Sequence, residues 1–255
     1  MIIPSPAALS NARIFSLAGL LPDNPSQSRA DQVRSVFERM EAALQDEGMT
    51  FAHVVRTWFF MDDILGWYDQ FNTVRNSFFR DRRVFGGLVP ASTGVGMPNA
   101  DGAALVGGLL AIHPRSTGVR AFAVPSPLQC PALDYSSAFS RAVEVHVPGE
   151  RHLYISGTAS IGADGASLFA GDLDAQIART MAVVEAILAS RNMTWSDARR
   201  SVAYFPDLKD APRFAAYCRS FGLPGLTAIP VQATICRKEL LFEIELDAVS
   251  RSEAP

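Results

Sequence analysis

Three acidic residues alternate with apolar residues near the carboxyl end of the chain, where residues 243–248 read EIELDA. If this segment is a β-strand, Glu243, Glu245 and Asp247 share one face, because successive side chains point to opposite sides. They could simply decorate a solvated face, as in many antiparallel sheets. Crowded carboxylates can also raise the pKa of one of them toward neutrality, which would make that residue a usable general acid. Arg237, just upstream, would bring a cation next to these acids.

A second group of candidate residues consists of Arg75, Tyr135 and Arg141. The guanidinium group is suited to bidentate recognition of carboxylates. Each arginine taken alone is more simply interpreted as an ordinary surface residue. As a substrate-binding set with Arg237, they favour a small carboxylate as the ligand.

Residues 90–96, with the sequence PASTGVG, resemble a phosphate-binding loop only superficially. They lack the Gly-Lys-Ser/Thr ending of that motif, so we predict a tight turn between strands here. The four histidines and three cysteines show no spacing typical of a zinc site. We therefore predict neither a metal nor another cofactor.

An internal duplication indicates which elements must position these residues. Residues 29–63 match residues 173–207 at a constant offset of 144, without gaps. Arg56 falls on Arg200 and Asp63 on Asp207, among several other identities. Such a repeat indicates two related modules, and a difference in charge between them suggests that one has specialised.

Both halves have the same order of predicted elements. Amphipathic helices are predicted over residues 29–47 and around 177–188, and second helices at 67–78 and 214–221. Strands are predicted over residues 13–20, 54–61, 103–112, 152–161, 199–205, 231–236 and 240–249. Each half is thus an α+β module with a mixed sheet backed by two helices on one face. The proline-rich segment 113–150 is predicted as a connector between an N-terminal domain, 1–120, and a C-terminal domain, 121–255.

The composition excludes several classes of protein. A net charge of −3 and a pI of about 5.8 provide no basic field for nucleic acid. No apolar run approaches the roughly 20 residues that span a bilayer, and residues 1–15 lack the pattern of a secretory signal. Three scattered cysteines are typical of a reducing compartment. We therefore expect a cytoplasmic protein with no membrane or nucleic-acid partner.

Two segments of the second half resemble the YjgF/Rid superfamily. They are residues 154–161 (YISGTASI), followed by Gly171, Asp172 and Gln176, and residues 236–245 (CRKELLFEIE). The chain is more specifically similar to the chorismatase branch, whose members carry two Rid-like halves. The resemblance runs from about Arg56 to Val249.

This resemblance implies curved sheets backed by helices, a pocket near the final strand, and a glutamate that protonates the enolpyruvyl methylene of the substrate. By motif, that glutamate falls on Glu243, the carboxylate anchor on Arg75, and the arginine that closes the connector on Arg141. The chain departs from the family pattern in two places. Residues 162–170 lack the histidine that chorismatases tend to carry there, and residues 228–232 lack the arginine of Rid imine deaminases.

Three hypotheses follow. The first is a chorismatase-like enzyme in which Glu243 protonates an enol ether or enamine, Glu245 or Asp247 stabilises the resulting cation, and the arginines hold carboxylates. The second is a Rid-type enzyme that handles an imine, enamine or unstable intermediate. The third is a binding protein for small carboxylates without catalysis. We also expect a homo-oligomer, because an uncovered sheet face should be buried against another sheet, and the resemblance implies a trimer of the Rid type.

Overall fold

The computed structural model describes residues 11–223 and 225–251. The expectation about a secretory signal depends partly on residues 1–10, which lie outside this range. None of the described helices is both long and apolar enough to cross a bilayer.

The first module is a four-stranded sheet with strand order β1-β4-β2-β3. Its elements are β1 (Ala12–Leu20), α1 (Arg29–Asp46), β2 (Val54–Met61), α2 (Ile64–Asp81), β3 (Ala91–Gly96) and β4 (Leu105–Pro114). Strands β2 and β3 are parallel, whereas β4 is antiparallel to β1 and β2. The sheet is therefore mixed. Helix α2 lies between β2 and β3 in the chain and provides the crossover connection that a parallel pair of strands needs.

The second module repeats this order as β7-β10-β8-β9 and adds two strands at the edge next to β7. Its elements are β5 (Arg120–Val124), β6 (Ala142–Val147), β7 (Glu150–Ala159), α3 (Leu173–Ser190), β8 (Ala198–Phe205), α4 (Ala211–Ser220), β9 (Ala228–Gln232) and β10 (Glu243–Arg251). The shared strand order confirms the α+β fold of two tandem modules. The boundary at residue 120 stays a prediction, although β5 begins there and pairs with the second sheet.

The predicted apolar stripes form the contact between helices and sheets. The α1 residues with this role are fully buried: Val33, Phe37, Met40 and Leu44. Their counterparts in α3 are at most 1% exposed: Ile177, Met181, Val184 and Leu188. After α1, Gly48 adopts a φ of 65°, and Asn192 takes the same left-handed conformation after α3 with a φ of 54°.

Two of the predictions about local structure are wrong. Residues 90–96 are not a tight turn, because residues 91–96 form β3 and pair with β2 along its length. The segment 113–150 is more than a connector, since β5 and β6 within it extend the second sheet. The prolines of residues 90–150 obscured these three strands, but all of these prolines lie outside the strands apart from Pro114 at the end of β4.

The sheet faces that carry no helices pack against each other across the two modules. Val55 and Leu110 of the first module share a buried cluster with Val143, Val145 and Tyr154 of the second. At one end, Gly96 exchanges backbone hydrogen bonds with Thr234. A Cβ atom at Gly96 would lie 2.8 Å from the Thr234 Cβ, so this close approach requires glycine.

Candidate active site

A cavity of about 180 Å³ lies between the two modules. Helix α2 contributes Tyr68, Asn72 and Arg75 to its lining, and β3 contributes Ser92 and Gly94. The second module contributes residues that include Tyr135, Arg141, Gly157, Cys236, Arg237 and Glu243. Five of the seven residues proposed from sequence thus lie around one cavity, and Glu245 and Asp247 do not.

Glu243 is the buried acid of this cavity. Its side chain lies over Gly157 of β7, where a Cβ atom would be only 2.0 Å from the Glu243 Oε1. Burial, together with the charge of Glu245, raises the pKa of Glu243 from 4.5 to about 8. Among the described residues, no arginine or lysine forms a salt bridge with it, in contrast to the next two acids on the strand. Glu243 is therefore largely protonated at neutral pH and can donate a proton.

Glu245 and Asp247 lie beyond the cavity and are paired with arginines. Glu245 accepts hydrogen bonds from Arg56 Nη2 at 2.9 Å and from Arg200 Nη2 at 2.5 Å. Asp247 accepts from Arg56 Nη1 at 3.0 Å and from Arg200 Nη1 at 3.4 Å. The acids of β10 are buried and do not decorate a solvated face, because the other module covers that side of the sheet.

Arg75 is a buried cation that lacks an acidic partner. It is 2% exposed, and its Nη2 donates to Asn72 Oδ1 at 2.5 Å. Its Nε has no hydrogen-bond partner, and no carboxylate of the described residues forms a salt bridge with it. Burial lowers the pKa of Arg75, although the neighbouring Tyr68 opposes this shift. A guanidinium held in this state favours an anionic ligand.

An aromatic ring of the cavity lies close to two guanidinium groups. The centroid of Tyr135 lies 5.5 Å from the Arg141 guanidinium carbon and 5.4 Å from that of Arg237. Arg141 is anchored by two hydrogen bonds to the Cys130 carbonyl, and Arg237 donates to the Gly165 carbonyl at 2.8 Å. Both cations are thus oriented by backbone oxygens, and neither forms a salt bridge with a carboxylate in the part of the chain that the structure describes.

The cavity therefore combines three guanidinium groups with one carboxyl that stays protonated near neutral pH. Such a set can hold a substrate by its carboxylates and deliver a proton to it. Sequence reasoning missed Tyr68 and Asn72, although their spacing to Arg75 of seven and three residues places all three on one face of α2. It also missed Arg56 and Arg200 as partners of the acids, although the duplication aligns these two arginines.

Comparisons with known proteins agree with the duplicated fold. The endoribonuclease L-PSP family model matches residues 5–106. A 3-hydroxybenzoate synthase from Streptomyces hygroscopicus is 26% identical over 260 residues, which cover 91% of this chain and 72% of that protein. A crystal structure of a chorismatase superposes with a TM-score of 0.73 at 18% identity, over 93% of this chain and 75% of the other. Together, these matches support the resemblance to a chorismatase-like member of the YjgF/Rid superfamily.

Proposed function

We propose that the protein is a chorismatase-like enzyme that protonates an enol ether or enamine carbon of a small carboxylated substrate from Glu243. The observation that carries this proposal is the buried Glu243 carboxyl in a cavity that holds three guanidinium groups. The similarity to a 3-hydroxybenzoate synthase and to a chorismatase supports a substrate of the chorismate type.

The proposed binding step uses the unpaired cations. Arg75 would receive one carboxylate of the substrate, because its Nε has no hydrogen-bond partner and no carboxylate of the described residues forms a salt bridge with it. Arg141 and Arg237 lie near the Tyr135 ring and would hold a second anionic group. Two separate anchors fix the substrate in orientation as well as in position.

The proposed reaction starts with proton transfer from Glu243 to the methylene carbon of the enol ether. The C=C double bond supplies the electron pair for the new C–H bond, and the adjacent carbon becomes an oxocarbenium ion. Water adds to this carbon, its released proton returns to Glu243, and the resulting hemiketal breaks down to pyruvate and an alcohol. The sequence suggested Glu245 or Asp247 as the residue that stabilises the cation, but neither lines the cavity. Glu243 does line it and, once deprotonated, is the anion that would stabilise the cation.

The substitution Glu243→Gln tests this proposal, because glutamine keeps the shape of the side chain and cannot donate a proton as an acid. With chorismate as substrate, we expect pyruvate release to fall by about 10²- to 10⁴-fold. Glu41→Gln is the matched control, because Glu41 pairs with Arg82 on the protein surface. Full turnover by the Glu243→Gln protein would exclude Glu243 as the acid.

The same assay separates the alternatives. Ammonia release from imino acids, without pyruvate release from chorismate, would indicate a Rid-type deaminase. Saturable binding of small dicarboxylates without any turnover would indicate a binding protein that retains the fold.

A further inference from the structure

A buried ion cluster lies next to Glu243 on the same face of the sheet. It consists of Arg56 and Arg200, with Glu245 and Asp247 of β10. Arg56 is fully buried, and Glu245 is 0% exposed. Two guanidinium groups therefore face two carboxylates, so the cluster is close to neutral when all four groups are ionised.

The duplication explains how the two arginines come to converge on one strand. Arg56 of β2 pairs with Leu110 of β4, and Arg200 of β8 pairs with Asp247 of β10. Because β4 and β10 have the same place in the two sheets, the two arginines occupy equivalent positions. The first-module equivalents of the three acids are uncharged: Val106, Gly108 and Leu110. Of the two equivalent strands β4 and β10, only β10 carries acids, yet both modules supply the arginine. Two cations therefore balance two of three acids, and Glu243 is left without a cation of its own.

Glu245 is held in a fixed, ionised state. Both of its oxygens accept hydrogen bonds from guanidinium groups, and Trp58 Nε1 donates to it at 3.0 Å. Burial alone would raise the pKa of Glu245, but Arg56 and Arg200 outweigh burial and lower it. Burial also raises the pKa of Asp247, and the same two arginines oppose that shift. The negative charge next to Glu243 is thus best fixed on Glu245.

The cavity also contains cations, and a cation close to a carboxyl favours its ionised form. Arg75 of α2, Arg237 before β10 and Arg141 line the same cavity as Glu243. The other titratable groups around Glu243 are Tyr68, Tyr204 and Cys236, and Tyr135 and Asp69 are among the lining residues. Burial and the charge of Glu245 nevertheless raise the pKa of Glu243, so Glu245 is the buried anion that acts against these cations.

We propose that Glu245 is a positioning residue whose charge, fixed by Arg56 and Arg200, keeps Glu243 protonated while the cavity binds anions. The inference rests on the proposed function, in which Glu243 is the acid. Glu245 acts through Glu243 and does not contact the substrate. Arg200 has an equal part in this arrangement, although it lies on the side of the cluster away from the cavity, with about a quarter of its side chain exposed.

Infrared titration of the protonated Glu243 carboxyl tests this proposal without substrate. The band is assigned by its loss in Glu243→Gln, and it should disappear near pH 8 in the unsubstituted protein. In Glu245→Gln the midpoint should fall by about one pH unit or more, since a buried neighbouring charge is removed and the arginines lose a partner. In Arg200→Gln the midpoint should rise, because a cation is lost while Arg56 still holds Glu245.

Glu41→Gln serves as the matched control, with a midpoint equal to that of the unsubstituted protein. Equal midpoints in Glu245→Gln and the unsubstituted protein, or shifts of the same sign in Glu245→Gln and Arg200→Gln, would overturn the proposal. If Glu245→Gln does not fold, Arg200→Gln decides alone, and an unchanged or lowered midpoint overturns it. Failure of the proposed function would give a different result from failure of this inference. Glu243→Gln would then keep its turnover, while the infrared midpoints of Glu245→Gln and Arg200→Gln would still shift in opposite directions.

Discussion

Glu243 differs from the other acids of β10 in its surroundings more than in its residue type. Glu245, two positions along the strand, has its oxygens paired with two arginines, whereas Glu243 has a cavity in front and Gly157 beneath. Burial and like charge raise the pKa of Glu243 to about 8, and guanidinium contacts lower the pKa of Glu245. Two glutamates on one strand face are therefore suited to opposite roles, one as a proton donor and one as a fixed anion.

Turnover should depend on the protonated form of Glu243. Because a general acid must carry its proton, kcat/KM should fall as the pH rises through about 8, the pKa of this carboxyl in the protein without ligand. A bound dianion would add negative charge and move the corresponding limb in kcat to higher pH. The measurement is kcat and kcat/KM for pyruvate release from about pH 4 to about pH 10. An alkaline limb in kcat/KM below about pH 6 would contradict the protonated resting state.

The same pKa shift predicts a change in stability that needs no substrate. Glu243 has an ordinary pKa of 4.5 and a folded-state pKa of about 8, so between these values the native protein binds more protons than the unfolded chain. Its contribution to the free energy of unfolding is complete below about pH 4.5 and declines by on the order of 1 kcal/mol per pH unit as the pH rises to about 8.

Glu243→Gln does not titrate, so its stability relative to the unsubstituted protein should rise over this interval and level off above it. Urea denaturation at pH 5, 6, 7 and 8 measures the difference. A difference that is constant with pH would show that the folded-state pKa is not raised.

At the scale of the elements, each wall of the cavity comes from a different kind of structure. One face of α2 presents Tyr68, Asn72 and Arg75, and β3 presents Ser92 and Gly94. Strand β7 provides the glycine against which the Glu243 carboxyl packs. Because helices and strands are rigid, the distance between Arg75 and Glu243 depends on how the two modules pack. The site therefore forms where the two modules meet.

Gly157→Ala should displace the acid while leaving its chemistry intact. A Cβ atom at position 157 would overlap the Glu243 Oε1 at 2.0 Å, so the carboxyl must move away from its present position. We expect the loss of kcat to approach that of Glu243→Gln. Gly86→Ala is the matched control, because a Cβ atom at this exposed position outside the cavity would meet no atom within 4 Å. Equal activities of the two alanine proteins would contradict the assigned position of Glu243.

Sequence patterns predicted the elements better than the site. The stripe Val33, Phe37, Met40 and Leu44 predicted α1 almost to its ends, since periodicity reflects a burial that each helix has on its own. Alternation placed the acids of β10 on one face, but it could not show that this face is buried, because the other module covers it. β3 was missed because Pro90 and the glycines of residues 90–96 suggest a turn, whereas pairing with β2 decides the conformation.

At the scale of the whole molecule, Arg56 ties the two modules together. It belongs to β2 of the first module, yet it donates to the Ile155 carbonyl, to Asp247 and to Glu245 of the second. The surrounding sheet faces are apolar, so these charges are shielded from water. Such a cluster makes the relative position of the modules specific, because its geometry is satisfied only when the acids of β10 meet the arginine of β2.

Arg56→Met should therefore destabilise the protein strongly. Methionine fills part of the space but leaves two buried carboxylates with Arg200 as their remaining cation, and the loss of one partner from a buried pair typically costs about 3–5 kcal/mol. Arg82→Met is the matched control, because Arg82 forms its salt bridge with Glu41 near the surface, where such a pair contributes about 1 kcal/mol or less. Urea denaturation at pH 7, with the m-value compared between variants, measures both. If the two substitutions lower the free energy of unfolding equally, the cluster does not hold the modules together, and their association depends on the apolar faces alone.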